Sequence, residues 1–163
     1  MTATPDDLFA KLNGLGISYE THSHDPVFTV EEAQSISRDL DGGHSKNLFL
    51  KDKKGDVYLL VCLEDTKVDL KALRKQIGAK NLSFGKPGLL MELLGVTPGS
   101  VTPFSLINDK QCQVKVLLDA RMMAEEFLNF HPLINDKTTQ ISMNSLKVFI
   151  EDCGHHVSVL TLD

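Results

Sequence analysis

The sequence predicts a mixed α/β fold, a mostly antiparallel sheet with helices interspersed along the chain and packed against it. Two observations predict it. Segments of helical period alternate with short alternating or apolar runs along the whole chain, and strands adjacent in sequence sit close enough to pair antiparallel through short turns. The 163 residues, 42% hydrophobic, suffice to bury a core without staples. No internal repeat, low-complexity tract or Ser/Gly linker interrupts them, so residues 1–163 are expected to form one domain.

The elements follow in order. "PDDLFAKLNGLG" reads as a first helix with apolar Leu8, Phe9 and Leu12 and a glycine stop. "SYETHSH" is a short alternating strand. "TVEEAQSIS" reads as a helix with Thr29 as N-cap and Glu32 three residues on, a capping box. "KNLFLK" and "DVYLLVCL" are strands around the turn "DKKG", and "DLKALRKQIG" is a helix with a basic side. "PGLLMELLG" is a short helix with proline at its start and Gly95 at its end. "SVTPFSLI" and "QVKVLL" read as strands, "DARMMAEE" as helical, "MNSLKVFIED" as a helix and "HHVSVLTL" as a final strand. "FLNFHPLINDKTTQIS", between the last two helical segments, carries no assignment.

Several function classes are excluded or disfavoured. Neither G-x-G-x-x-G nor G-x-x-x-x-G-K-[ST] follows a strand, so dinucleotide and P-loop readings fail. No G-x-S-x-G elbow occurs. Cys62, Cys112 and Cys153 are odd in number and far apart, which suggests neither a disulfide framework nor a zinc knuckle, and Cys62 inside "VYLLVCL" reads as a core thiol. The six histidines lack H-E-x-x-H or any Cys/His pairing, so no metal and no cofactor are expected. "MTATPDDLFAKL" has two acids and no basic n-region, and no run approaches a membrane span. A soluble, cytoplasmic protein is the expectation.

The net charge of −5 is unevenly distributed. From Lys46 to Lys86 there are 10 Lys or Arg against 5 Asp or Glu, while the rest of the chain holds 7 basic and 17 acidic residues. Lys67, Lys71, Arg74 and Lys75 recur at i, i+4, i+7 and i+8, the spacing of one helix side. Such a stripe is either a solvated face or a surface for phosphates.

Three stretches suggest chemistry. Lys46, in "SKNLFL", shares a strand face with Leu48 and Leu50, where an apolar residue would fit, and its place at the strand's beginning lets the ammonium reach open space. "GVTPGSVTPF" sets Pro98-Gly99 as the centre of a type II turn, and the amides of Gly99, Ser100 and Val101 could form a nest for an anion or a polarised carbonyl; the plain alternative is a turn between two elements. In "FHPLIND", Pro132 restricts His131 to an extended conformation.

"SKNLFL" at 45–50, "GVTPGSVTPFSL" at 95–106 and "FHPLIND-TT" at 130–139 together resemble the YbaK/prolyl-tRNA-synthetase-associated editing domain family, in order and spacing over essentially the whole chain. Within it, "SKN" with "FHPL-N" looks like the free-standing alanyl-tRNA(Pro) deacylases of the ProXp-ala type. The resemblance implies a trans-editing hydrolase that cleaves the ester of mischarged tRNA(Pro), alanyl-tRNA(Pro) first. It leaves another small amino acid (Ser, Cys or Thr) or a non-catalytic tRNA- or synthetase-binding module as alternatives. By the same resemblance, Lys46 matches the essential lysine, anchoring phosphate or ribose oxygens; Asn47 is a neighbouring polar contact. Gly99, Ser100, Val101, Thr102 and Pro103 match the G-x-x-x-P loop that holds the ester carbonyl, and His131 matches the pocket histidine. The implied partners are aminoacyl-tRNA(Pro), contacted also through Lys67, Lys71, Arg74 and Lys75, and prolyl-tRNA synthetase as a second candidate, with no DNA and no membrane.

Overall fold

The computed structural model describes residues 2–26 and 42–162. Helix α1, Pro5–Gly14, starts at Thr4, whose hydroxyl accepts from the Asp7 N–H while the Asp7 carboxylate accepts from the Thr4 N–H. That reciprocal capping satisfies two otherwise orphaned donors. Its Leu8 and Leu12 are fully buried. Strands β1 (Tyr19–Ser23), β2 (Gly43–Asp52) and β3 (Val57–Leu63) follow, then α2 (Leu70–Ile77), β4 (Leu82–Phe84) and α3 (Pro87–Leu94). After two 3-10 turns, Pro98–Ser100 and Pro103–Asn108, come β5 (Val114–Asp119), a 3-10 turn Ala120–Ala124, β6 (Phe127–Phe130), β7 (Lys137–Ser142), α4 (Met143–Asp152) and β8 (Val157–Leu160).

The eight strands form one mixed sheet in the order β1-β7-β6-β2-β3-β5-β8, with β4 paired to β2. The β1/β7, β7/β6, β2/β3 and β2/β4 pairs are antiparallel; β2/β6, β3/β5 and β5/β8 are parallel. Every residue of β3 is buried, because both sheet faces are covered there. Val57, Leu59, Val61 and Leu63 join the main core with α1, α3 and α4. Tyr58 and Leu60 face the other way, into a smaller core with Leu50, Leu117 and Leu73 of α2. Asp69 caps α2 by accepting from the Lys71 and Ala72 N–H groups, and Gly78 closes it in the left-handed region at φ 69°, which glycine adopts without a Cβ clash.

The structure corrects several expectations. "SVTPFSLI" is not a strand: prolines 98 and 103 each begin a 3-10 turn, where a missing N–H costs nothing, and the Thr102 hydroxyl accepts from the Phe104 N–H to start the second. Gly99 is not at positive φ, so Pro98-Gly99 is not a type II turn. Strand β2 begins at Gly43, which places Lys46 three residues inside it and not at its start. Lys67 precedes the Asp69 cap and lies off the helix; only Lys71, Arg74 and Lys75 ride on α2. The unassigned stretch forms β6 and β7. The capping box at Thr29 and Glu32 lies outside the described residues.

Candidate active site

The site is built where the sheet opens. Strand β2 pairs with β6 only at Gly43 and His44, and with β4 only at Leu50–Asp52; between them, Ser45 to Leu48 are laddered to β3 alone. The last parallel rung sets His44 beside Asn129. Beyond that rung the pairing stops, with Lys46 two residues further along β2 and His131 two residues further along the other segment, and the period of two puts Lys46 on the sheet face of His44. Two residues 85 positions apart, each read separately from sequence, thus stand at the two edges of one opening.

Lys46 is half-buried and pairs with Cys62 of β3. Its neighbours on this face, Leu48, Leu50 and Leu60, belong to the smaller core under α2. The Lys46 ammonium makes no ion pair among the described residues. Cys62 is fully buried, and burial pushes its thiol up to about 11, so it serves as packing and not as a nucleophile.

Asn47, one residue on, faces the main-core side. Its Nδ2 donates weakly to Ser45 Oγ at 3.4 Å, and Ser45 Oγ in turn donates to the Asn129 carbonyl at 3.0 Å, bridging the two strands where the opening starts. The Asn47 Oδ1 is buried and has no partner among the described residues. A buried carbonyl oxygen left unsatisfied costs about 1–3 kcal/mol, which a ligand N–H or O–H at the opening would recover.

His131 follows the end of β6. Its Nδ1 donates to the Lys137 carbonyl at 2.9 Å; a carbonyl can only accept, so the proton of the neutral ring is on Nδ1 and the Nε2 lone pair is left available. Burial pushes its titration below the ordinary histidine value; the Lys137 carbonyl opposes that and nearby His24 adds to it. His24 lies 6.2 Å away, ring centre to ring centre, with its Nδ1 on the Asp25 carbonyl and its Nε2 on the buried Thr138 hydroxyl at 2.7 Å. His24 and Thr138 are the neighbours that sequence reading missed. Nothing in "SYETHSH" marks His24 as near His131; only the β1/β7 pairing and the turn after it join them.

The loop Gly99–Pro103 approaches from the main-core side. Phe104 packs edge-on against Phe130, 5.9 Å between ring centres, which sets the loop beside the strand that ends at His131. Ser105 Oγ donates to the Thr102 carbonyl at 2.6 Å and locks the bend. Ser100, Thr102 and Pro103 are buried, and the Ser100 N–H is committed to the Thr97 carbonyl. Gly99 and Val101 alone in the loop keep partial exposure. The three buried residues shape the bend, and Gly99 and Val101 lie at its surface. On α2, Lys71 and Lys75 are exposed and Arg74 half-buried, on the side away from Leu73. Among the described residues no cluster of three His, Cys, Asp or Glu could hold a metal ion, and no helix is long and apolar enough to cross a membrane.

Residues 24–149 match the family model described as "Aminoacyl-tRNA editing domain". The chain is 36% identical over 156 residues to the prolyl-tRNA editing protein ProX of Acetoanaerobium sticklandii, covering 95% of each. It is 38% identical over 162 residues to the prolyl-tRNA synthetase associated domain-containing protein 1 of Mus musculus, covering 96% of this chain and 95% of that one. Among solved structures, one described as a candidate trans-editing enzyme for prolyl tRNA synthetase superposes with a TM-score of 0.72 at 16% identity over 99% of both chains, a likeness of fold.

Proposed function

The chain belongs to the aminoacyl-tRNA editing domain family, and from that premise we propose that it hydrolyses the ester of mischarged tRNA(Pro), with alanyl-tRNA(Pro) as the preferred substrate. The observation that carries the reading is the opening between β2 and β6, with Lys46 on one edge of it, His131 just past the end of the other, and the Asn47 Oδ1, unpartnered among the described residues, next to Lys46 in the chain.

Each group has a role suited to its chemistry. The Lys46 ammonium holds the phosphate or ribose oxygens of the terminal adenosine, as a compact cation with no carboxylate partner among the described residues. Asn47 Oδ1 accepts from the α-ammonium of the aminoacyl group. Backbone amides at Gly99 and Val101 receive the ester oxygen as negative charge grows on it. A water attacks the carbonyl carbon; the ester C–O bond breaks, releasing the free amino acid and the ribose hydroxyl. The water's proton passes to the neighbouring ribose 2′-hydroxyl, which hands its own proton to the departing 3′-oxygen, while the His131 Nε2 lone pair orients the attacking water. Lys71, Arg74 and Lys75, with Lys67 beside the helix, grip the tRNA phosphates. The relatives' names support prolyl-tRNA synthetase as the source of the mischarged tRNA.

The need for such an enzyme follows from pocket energetics. A synthetic site shaped for proline rejects alanine by only roughly 1–3 kcal/mol per missing methylene. A second sieve that admits the small side chain and excludes the ring supplies the remainder. The test is the decay of tRNA(Pro) charged with alanine, serine, cysteine or threonine. Fast loss of alanine is the expected result; binding of tRNA without loss of any of the four would make the protein a non-catalytic module.

A further inference from the structure

Beside Lys46 lies a second cation that no sequence motif marks. The β2/β3 register sets Lys46 opposite Cys62, and the β3/β5 register, with Val61 beside Leu118, continues to set Cys62 beside Asp119. Lys46, Cys62 and Asp119 thus occupy one row on three successive strands, and a strand spacing of about 4.8 Å puts the outer two backbones roughly 10 Å apart. Arg121 follows two residues later. Its backbone N–H donates to Asp119 Oδ1 at 3.1 Å, its Nη1 donates to Thr66 Oγ1 at 2.9 Å, and Thr66 Oγ1 donates to Asp119 Oδ2 at 2.9 Å. Thr66 and Asp119 are buried, so one edge of the guanidinium is held by a fixed network.

The other edge is available. Among the described residues Nη2 reaches only Asp65, at 3.4 and 3.5 Å, and the Arg121 and Asp65 side chains are 42% and 72% exposed. An exposed pair at that distance contributes little, and a phosphate, which accepts two parallel N–H groups from an arginine fork, displaces it readily. The buried Cys62 thiol feels Lys46, Asp119, Arg121 and Asp65 together, consistent with their convergence at this end of the sheet. Thr66, which holds Arg121, directly precedes Lys67 in the chain, so Arg121 stands between Lys46 and the basic residues that lead onto α2.

We propose that Arg121 binds a backbone phosphate of the single-stranded 3′ end of the tRNA, linking Lys46 to Lys67 and α2 in one cationic track, with Asp65 as the internal carboxylate that occupies the fork when no RNA is bound. The inference deepens the proposed function and rests on it for the identity of the ligand. Its test reads binding and not hydrolysis, so the two can fail separately.

Equilibrium binding of uncharged tRNA to the full chain is measured against salt for wild type, Arg121→Gln and Asp65→Asn. Arg121→Gln is expected to weaken binding about five- to tenfold at low salt and to reduce the slope of log K against log salt by about 0.7, the share of one single-strand phosphate. The deficit should vanish on an RNA that lacks the single-stranded 3′ end, a selectivity that a loss of packing would not produce. Asp65→Asn should tighten binding by removing the competitor. Wild-type affinity and slope in Arg121→Gln, or an equal loss on the shortened RNA, would overturn the assignment. Should Arg121→Gln fail to fold, Asp65→Asn, at an exposed side chain, decides alone: unchanged or weaker binding is the contrary result. Deacylation of alanyl-tRNA(Pro) by the wild-type chain separately tests the parent reading.

Discussion

Lys46 lies three residues inside β2, on a face it shares with Leu48 and Leu50, and its ammonium is left without a carboxylate among the described residues. A cation kept unpaired beside an apolar core contributes little to stability. Lys46→Ala is therefore expected to abolish deacylation, by more than about a hundredfold given the usual weight of one electrostatic contact in the transition state, while stability shifts by no more than about 1 kcal/mol. Turnover near wild type in a folded Lys46→Ala protein would remove the residue from the mechanism. His131 carries a pH signature. Its folded titration lies below the ordinary value of 6.5, because burial disfavours the cation. Between that lowered value and 6.5 the unfolded chain binds the proton more readily, so stability rises with pH through this window and falls as pH drops. Melting temperatures across pH 5 to 7.5 should show that rise in wild type and lose it in His131→Gln; the same slope in both would place the titration elsewhere.

At the scale of elements, α2 carries its cations on one side and Leu73 on the other, so the helix can meet RNA without disturbing the core. Neutralising Lys71, Arg74 and Lys75 together should raise KM for aminoacyl-tRNA and flatten its salt dependence by about 0.7 to 0.9 per phosphate lost, with kcat nearly unchanged. Wild-type affinity in the triple variant would make the stripe a solvated face. The seam between β4 and β2 gives a stability test. A Cβ on Gly85 would overlap the ring of Phe49, a core side chain, so Gly85→Ala should destabilise by about 1–3 kcal/mol in denaturant unfolding. These elements differ in how far the sequence announces them. The apolar spacing of Leu8 and Leu12 in α1, the unbroken run of β3, and the proline start and Gly95 stop of α3 are local signals, read where they act. "SVTPFSLI" has strand composition, yet Pro103 and the Thr102 hydroxyl override it. Strand β6 is four residues long, and β7, "KTTQIS", is identified by its partners β1 and β6 rather than by its own pattern. The approach of the segments that carry Lys46 and His131 was not legible at all, because it follows from one short parallel pairing between distant parts of the chain.

For the whole molecule, the mixed sheet is closed over the main core by α1, α3 and α4, yet it parts between β2 and β6, and the residues matched by family motifs gather at that parting. Lys46 and His131 stand at its two edges, and the bend Gly99–Pro103 is set through Phe104 beside the strand that leads to His131. A site made this way can be narrow, because the strands remain tied at Gly43 and His44 just beyond it. Narrowness is what a second sieve requires: alanine enters, and the proline ring meets the walls. The most direct measurement is the decay of alanyl-tRNA(Pro) and prolyl-tRNA(Pro), each at the same enzyme concentration and corrected for spontaneous hydrolysis. The alanyl ester should be lost at least about a hundredfold faster, the scale on which size exclusion of this kind discriminates, and prolyl-tRNA(Pro) should decay at its rate in buffer. Equal decay of the two esters, or none of either, would contradict the account.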